Sequence, residues 1–96
     1  MLYDVKTTGK FDRDIKLAKK RGLDENDLFD VVRKLANDEK LPAKNQDHSL
    51  KGNFNGKREC HINPDWLLLY EKDIEIRIIS LYRTGTHSDL FGKKKR

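Results

Sequence analysis

The fold is decided by the stretch Arg58-Glu59-Cys60-His61-Ile62-Asn63-Pro64-Asp65-Trp66-Leu67-Leu68-Leu69-Tyr70. Its pattern is typical of a strand, a proline-containing turn and a second strand. Because successive side chains of a strand point to opposite faces, Glu59 and His61 share one face and Cys60 takes the other. Asp65 follows in the turn, close to both. Two carboxylates and an imidazole thus stand on a rigid element beside a core strand, which indicates a site.

The segments on either side of this stretch predict the remaining strands. Trp66–Tyr70 is apolar on both faces and therefore predicts a central strand. The polar residues 71–73 predict a turn, and Ile74 to Tyr82 predicts a last long strand. Upstream, the dipeptide Asn55-Gly56 predicts a hairpin between two short strands, since both residue types tolerate positive φ.

The N-terminal half predicts one strand and two helices. Residues 2–6 form a short strand candidate, and Phe11 to Arg21 carries apolar residues at helical spacing. The second helix runs from about Asp24 to Asn37 with an apolar stripe at i, i+3, i+4 and i+7. The predicted fold is therefore α+β, in the order β-α-α-β-β-β-β. Both helices pack on one face of a twisted, mostly antiparallel sheet, whose other face stays open.

Size and charge limit the function classes. With 96 residues the chain predicts a single domain over residues 1–92 and a basic C-terminal tail over residues 93–96. The net charge of +5 favours polyanions: nucleic acid first, then an acidic protein, then an anionic membrane surface. The lone Cys60 predicts a buried structural thiol rather than a nucleophile. No secretory signal or apolar run predicts a membrane association, so we expect a cytoplasmic protein.

Three histidines, His48, His61 and His87, all fall in the second half of the chain, each beside acidic residues. Imidazoles exchange protons near neutral pH. Structural zinc prefers close ligand pairs, whereas the nearest histidines here are 13 positions apart (61 − 48) and paired cysteines are absent. We therefore expect neither a metal nor another cofactor. A strained serine elbow of the G-x-S-x-G type is also missing, which argues against serine nucleophilic catalysis.

Acid–base cleavage of RNA without a metal fits these residues better. RNA carries its own nucleophile, the 2′-hydroxyl, so the protein needs only to position it and manage protons and charge. Histidine with aspartate or glutamate can supply the base and the acid. Arg58 or Arg83 can hold the phosphate, and Phe91 can stack on a base.

Several ordered blocks of the sequence resemble a known family. They are Asp47-His48-Ser49-Leu50, Gly52, Gly56, residues 58–62, residues 64–70 and the block Arg83-Thr84-Gly85-Thr86-His87-Ser88-Asp89-Leu90-Phe91. Together they resemble the YafQ-type toxins of the RelE/ParE superfamily, which belong to bacterial type II toxin–antitoxin systems. The resemblance covers nearly the whole chain, although the helical half is less diagnostic. It implies a RelE-like fold of two helices against a twisted antiparallel sheet.

The resemblance also implies an activity and roles for individual residues. It implies a ribosome-dependent mRNA endoribonuclease (an mRNA interferase) that inhibits translation. On this basis His87 is expected to be the general acid and either Asp65 or His48 the general base. His61 would orient groups or stabilise charge, whereas Glu59 stands where relatives can carry aspartate.

The same resemblance implies partners and leaves two alternatives. The expected partners are the ribosome, mRNA and a cognate antitoxin with an acidic contact segment, with operator DNA bound only through the antitoxin complex. One alternative is a ParE-like toxin that inhibits DNA gyrase and needs no catalytic residues. The other is a simple RNA-binding module, for which the basic charge would suffice but the acidic residues would have no use.

Overall fold

The computed structural model describes residues 2–92, so the basic tail predicted over residues 93–96 lies outside the described residues. Two short 3₁₀ turns, Ala43–Asn45 and Gly52–Phe54, lie in the connections. The strands and helices are, in chain order, β1 (Asp4–Thr7), α1 (Gly9–Lys20), α2 (Glu25–Ala36), β2 (His48–Ser49), β3 (Arg58–Asn63), β4 (Trp66–Asp73), β5 (Ile78–Gly85) and α3 (His87–Phe91).

The five strands form one sheet in the order β1-β5-β4-β3-β2. Strand β1 pairs in parallel with β5, and the other three pairings are antiparallel. The predicted α+β fold with a mostly antiparallel sheet is therefore confirmed. The long strand β4 lies at the centre, as its apolar sequence indicates, and places residues 66–70 in the buried interior.

Local sequence signals fix the two N-terminal helices. The Thr8 hydroxyl accepts a hydrogen bond from the backbone N–H of Phe11 at 3.0 Å, and the Asp24 carboxylate accepts one from Asn26 at 2.9 Å. These side-chain caps satisfy backbone donors that have no partner within the helix. Gly22, with φ +83°, follows α1 in a left-handed conformation that favours glycine.

The main core lies between the two helices and one face of the sheet. From α2 it takes the predicted apolar stripe, and from the sheet it takes Cys60, Trp66, Leu68, Tyr70, Ile79 and Leu81. The predicted buried thiol is confirmed because Cys60 is fully buried, and burial raises its pKa to about 12. Such a thiol is protonated and unreactive at neutral pH.

The expectation that the opposite face of the sheet stays open is wrong. A second, smaller cluster there contains Leu67, Leu69 and Leu90, and partly buried Leu50, Phe54 and Tyr82 pack against it. Leu90 belongs to α3, a helix that the sequence pattern did not predict. The reason is its length: a five-residue helix is too short to show helical periodicity, so tertiary packing and its Thr86 cap define it.

Two predicted turns also differ from the structure. Asn55 has φ −55° and ψ 137° and Gly56 has φ +90°, a combination typical of a type II turn. The dipeptide therefore ends an eight-residue connection between β2 and β3 rather than forming a tight two-residue hairpin. The expected pairing of the flanking strands remains, with His48 opposite Glu59.

The turn predicted at residues 71–73 and the strand start at Ile74 are wrong by several residues. Strand β4 continues to Asp73, and the chain turns at residues 74–77. The Asp73 carboxylate accepts backbone hydrogen bonds from Glu75 and Ile76 at 3.0 and 3.2 Å, and Arg77 has φ +57°. This side-chain-to-backbone bonding stabilises a turn even though isoleucine favours strands.

Candidate active site

The site begins with a buried carboxylate between two histidines. Glu59 on β3 is only 6% exposed, yet its Oε1 lies 3.4 Å from Nε2 of His48 and 3.7 Å from Nε2 of His61. His48 comes from β2, directly opposite Glu59, and His61 follows two positions later on the same face of β3. Alternation along one strand and pairing with the next therefore bring these three groups together.

A second carboxylate holds the third histidine. Asp65 in the turn between β3 and β4 accepts two hydrogen bonds at Oδ1, from Nδ1 of His87 at 2.8 Å and from the backbone N–H of His87 at 3.2 Å. These bonds from His87 favour the ionised carboxylate and hold the pKa of Asp65 below its usual range. Asp65 thus remains negatively charged at neutral pH and fixes the orientation of the imidazole.

The two groups meet through the imidazole rings of His61 and His87. Their ring centroids are 5.7 Å apart, and the rings lie edge to face at 75°. All five residues that the sequence predicts for acid–base chemistry thus form one contiguous row in the order His48, Glu59, His61, His87 and Asp65. Buried Glu59 and partly buried His61 lie toward its centre, whereas His48, His87 and Asp65 are half exposed or more.

Phe91 lies beside this row. It follows His87 by four positions, so both side chains project from the same side of α3. The ring of Phe91 is 37% exposed and contacts the ring of Phe54 edge to face, with centroids 5.4 Å apart. An aromatic ring half open to solvent next to an imidazole is a geometry that suits stacking on a nucleobase.

The two predicted phosphate-binding arginines are bound to carboxylates of the protein. Nε of Arg58 lies 3.2 Å from Oδ1 of Asp47, which also accepts a 2.6 Å hydrogen bond from the Tyr70 hydroxyl. Arg83 on β5 forms a two-bond pair with Asp14 of α1, at 2.7 and 3.0 Å. Arg58 alternates with Glu59 along β3 and pairs with Tyr70 of the main core, so its side chain lies on the helix face of the sheet and outside the row. Arg83 is directed toward α1 by its pair with Asp14.

The sequence did not indicate that Asp14 and Arg21 bind residues near the site. They reach residues 69 and 68 positions away, Arg83 and Asp89 respectively. Charges at such separation carry no periodic or motif signal, so only the folded chain reveals their pairing.

Two further properties of the described chain concern metals and membranes. Within residues 2–92, no group of three or more histidine, cysteine, aspartate or glutamate side chains is arranged to hold a metal ion. In that same range, no helix has the length and apolar character needed to span a bilayer.

Fold and site together place the chain among the toxins of bacterial type II toxin–antitoxin systems. A family model described as "Bacterial toxin of type II toxin-antitoxin system, YafQ" matches residues 3–92. The chain belongs to the YafQ toxin family.

Relatives of known sequence and structure agree with this assignment. The chain is 40% identical over 90 residues to the mRNA interferase toxin YafQ of Escherichia coli (strain K12), covering 93% of this chain and 96% of that protein. It matches the crystal structure of the E. coli DinJ-YafQ toxin–antitoxin complex at 39% identity and a TM-score of 0.85, covering 96% of this chain and 100% of that one. A metal-bound toxin from Helicobacter pylori matches at 43% identity and a TM-score of 0.88, with 95% and 100% covered.

These comparisons confirm the resemblance that the sequence blocks indicated. They also confirm, through the relative named as an mRNA interferase, the expectation of an endoribonuclease toxin. The roles of individual residues remain predictions.

Proposed function

We propose that this toxin is a ribosome-dependent mRNA interferase that cleaves RNA by acid–base catalysis without a metal cofactor. The observation that carries the proposal is the unbroken row of imidazoles and carboxylates on the face of the sheet opposite α1 and α2. Its members can remove one proton and deliver another across a phosphodiester bound alongside. A positioned acid or base contributes about 10²–10⁴-fold in rate.

His87 is the proposed general acid. Its Nδ1 is engaged by Asp65 at 2.8 Å, so the proton that it donates to the leaving 5′-oxygen comes from Nε2. The Asp65 carboxylate thereby holds the ring with Nε2 free to face the substrate. In this arrangement Asp65 orients the general acid His87, so another residue must serve as the general base.

His48 is the proposed general base. Its Nδ1 lies 2.7 Å from the backbone oxygen of Gln46, and a carbonyl can only accept, so Nδ1 carries the proton and Nε2 is the basic nitrogen. Nε2 takes the proton from the 2′-hydroxyl, and the 2′-oxygen attacks phosphorus. The bond from phosphorus to the 5′-oxygen breaks, which leaves a 2′,3′-cyclic phosphate. Glu59, whose Oε1 lies 3.4 Å from Nε2 of His48, is placed beside the nitrogen that receives this proton.

The remaining predicted residues bind and stabilise charge. His61, which shares Glu59, lies between acid and base and is suited to stabilise the phosphorane. Arg83 has several N–H groups, and its pairing with Asp14 leaves donors for phosphate oxygens, whereas Arg58 lies on the helix face of the sheet, away from the row. Phe91 supplies a stacking surface for a nucleobase.

The same proposal includes the partners and the cellular site. A basic toxin that cuts translated mRNA binds the ribosome in the cytoplasm, where its net charge of +5 favours ribosomal RNA. A cognate antitoxin with an acidic contact segment covers the site, in keeping with the relative whose structure is a DinJ-YafQ complex. Operator DNA is bound only through the complex of this toxin with its own antitoxin.

Primer extension on a translated message tests the proposal. Wild-type toxin and the His87→Ala variant are compared on programmed ribosomes and on the same mRNA without ribosomes. We expect ribosome-bound cleavage by the wild type far above cleavage of free RNA, and a loss of about 10²–10⁴-fold in the variant. The His87→Ala protein should keep its fold and still bind its antitoxin, because the replaced side chain is half exposed.

Four results would contradict the proposal. Full cleavage by His87→Ala would contradict the assignment of His87 as general acid. Equal cleavage of free and translated RNA would contradict the proposed ribosome dependence. Loss of cleavage on adding a transition-metal chelator, at unchanged magnesium, would show that a metal takes part. DNA gyrase inhibition without any mRNA cleavage would favour the ParE-like alternative instead.

A further inference from the structure

Helix α1 contributes no residue to the row of five acid–base residues from His48 to Asp65 (the catalytic row). Even so, it contacts both ends of the segment that carries His87. Asp14 binds Arg83 four positions before His87, and Arg21 binds Asp89 two positions after it. Arg21 directly follows the last residue of α1 and stands seven positions, close to two helical turns, after Asp14, so both side chains lie on the same side of the helix axis. The helix therefore holds the segment from residue 83 to residue 89 at two points.

The contact between Arg21 and Asp89 has the geometry of a directed pair. Nη1 of Arg21 lies 2.6 Å from Oδ2 of Asp89, and Nη2 lies 3.3 Å from Oδ1. This fork-to-fork arrangement fixes direction as well as distance, which a single contact from lysine does not. The hydrogen bonds from Arg21 hold the pKa of Asp89 far below its usual range, at about 2.

Asp89 also organises the start of α3. Its Oδ2 accepts a 2.9 Å hydrogen bond from the backbone N–H of Thr86, and its own N–H donates to the Thr86 hydroxyl at 3.1 Å. His87 is the first residue of α3, directly after Thr86. A movement of Asp89 therefore moves the backbone that carries the imidazole.

Nothing intrinsic keeps α3 in place, because a helix of five residues is far below the length at which helices are stable alone. Its fixed position comes from contacts with the rest of the fold: Leu90 packs on its inner side, Phe91 contacts Phe54, and Asp65 binds His87. The Arg21–Asp89 pair adds a contact between α3 and the end of α1.

We propose that Arg21 is a positioning residue, which acts through Asp89 and the Thr86 cap to hold His87 in the orientation needed for proton transfer. The inference rests on the proposed role of His87 as general acid. It assigns a function to the helix whose cationic residues the sequence alone does not distinguish from an ordinary solvated face. Small misplacements matter here, because an error of about 1 Å can cost about 10²-fold in rate.

The test measures single-turnover cleavage of mRNA in programmed ribosomes by Arg21→Gln and Arg21→Lys. Arg33→Gln is the matched control, since Arg33 also forms an exposed ion pair, with Asp30, but one remote from the site. We expect Arg21→Gln to lower the rate at saturating toxin about tenfold, with half-saturation nearly unchanged. Arg21→Lys should recover part of the rate because it restores charge without the fork. The control should cleave like the wild type.

A second readout separates positioning from general stability. In the Arg21→Gln protein, the imidazole NMR signals of His87 should shift, while those of His48 and His61 stay in place. Both glutamine variants should melt within a few degrees of the wild type, since exposed ion pairs contribute little to stability.

The His87→Ala variant measured alongside distinguishes the two proposals. If His87→Ala cleaves normally, the proposed general acid is wrong. If His87→Ala is inactive while Arg21→Gln retains the wild-type rate, only the positioning role of Arg21 is overturned. Equal shifts of all three histidine signals in Arg21→Gln would likewise overturn it, because they would indicate a global structural change.

Discussion

The two faces of the sheet differ in how many apolar residues they bury. The face under α1 and α2 carries a cluster of fifteen buried residues, whereas the face with the catalytic row carries only three, Leu67, Leu69 and Leu90. A thick apolar core contributes stability in proportion to the area that it removes from water. The thin cluster leaves room for charged and hydrogen-bonding groups at the surface, so one face supplies stability and the other carries the residues proposed for catalysis.

Strand β4 shows this difference at neighbouring positions. Leu68 and Leu69 are both fully buried, but Leu68 belongs to the large cluster and Leu69 to the small one beneath α3. Their substitution by alanine removes the same atoms from opposite faces, which makes them a matched pair.

The largest expected effect is on stability, from this pair. We expect Leu68→Ala to lower the free energy of unfolding by about 3–5 kcal/mol, and Leu69→Ala by about 2–3 kcal/mol, since a cluster near the surface relaxes more easily around a cavity. Only Leu69→Ala should reduce mRNA cleavage by the folded protein, because Leu69 supports α3. Denaturant titration and cleavage corrected for the folded fraction measure both. Equal losses of activity in the two variants would contradict the division between the faces.

A smaller effect is expected from Gly85→Ala, at the boundary between β5 and α3. A β-carbon at this position would lie 2.9 Å from both Cβ and Oδ2 of Asp89, too close for a real contact. Relief requires α3 to shift, at a cost of about 1–3 kcal/mol, and His87 shifts with it. The loss of mRNA cleavage should therefore exceed the loss that the lower folded fraction alone would cause.

The control for this substitution is Gly9→Ala in the first turn of α1, where the nearest side-chain atom lies 4.0 Å away. It should leave both stability and cleavage near the wild-type values. Normal cleavage by Gly85→Ala, measured beside it, would show that α3 has more freedom than its packing indicates.

The smallest expected effect is the pH dependence of the Arg21–Asp89 pair. The folded pKa of Asp89 is about 2, below its ordinary value of 3.8, so the pair stabilises the fold above pH 3.8 and loses this contribution as the pH falls through 2. We expect Arg21→Gln to lower the free energy of unfolding slightly at pH 6 and not measurably below pH 2. Denaturant titrations of both proteins across this range measure the difference. A constant difference at all pH values would assign the effect to packing instead.

Sequence patterns predicted the stabilising face better than the catalytic face. The helices, their caps at Thr8 and Asp24 and the central strand follow from periodicity and capping, which act over a few residues. By contrast, α3 was missed, and the boundary between β4 and β5 was displaced because the Asp73 carboxylate stabilises a turn against the strand preference of Ile74 and Ile76.

The candidate site was predictable in membership but only partly in arrangement. Strand alternation alone puts Glu59 and His61 on one face, as observed. That His87 approaches His61 and is held by Asp65 depends on where β5 ends and how α3 turns back. Nor did the sequence distinguish the two candidates for the general base, whereas the hydrogen bonds of Asp65 and His48 assign them different proposed roles.

By itself the sequence determined the family, the α+β class and the residue types of the acid–base row, because these depend on local periodicity and on the ordered blocks around its three histidines. Tertiary structure alone decided which carboxylate accompanies which imidazole and which arginines are held by Asp14 and Asp89. The physical reason is one of range. Backbone preferences act between near neighbours in the chain, whereas ion pairs and hydrogen bonds act between neighbours in space, and only the folded chain makes residues 21 and 89 neighbours.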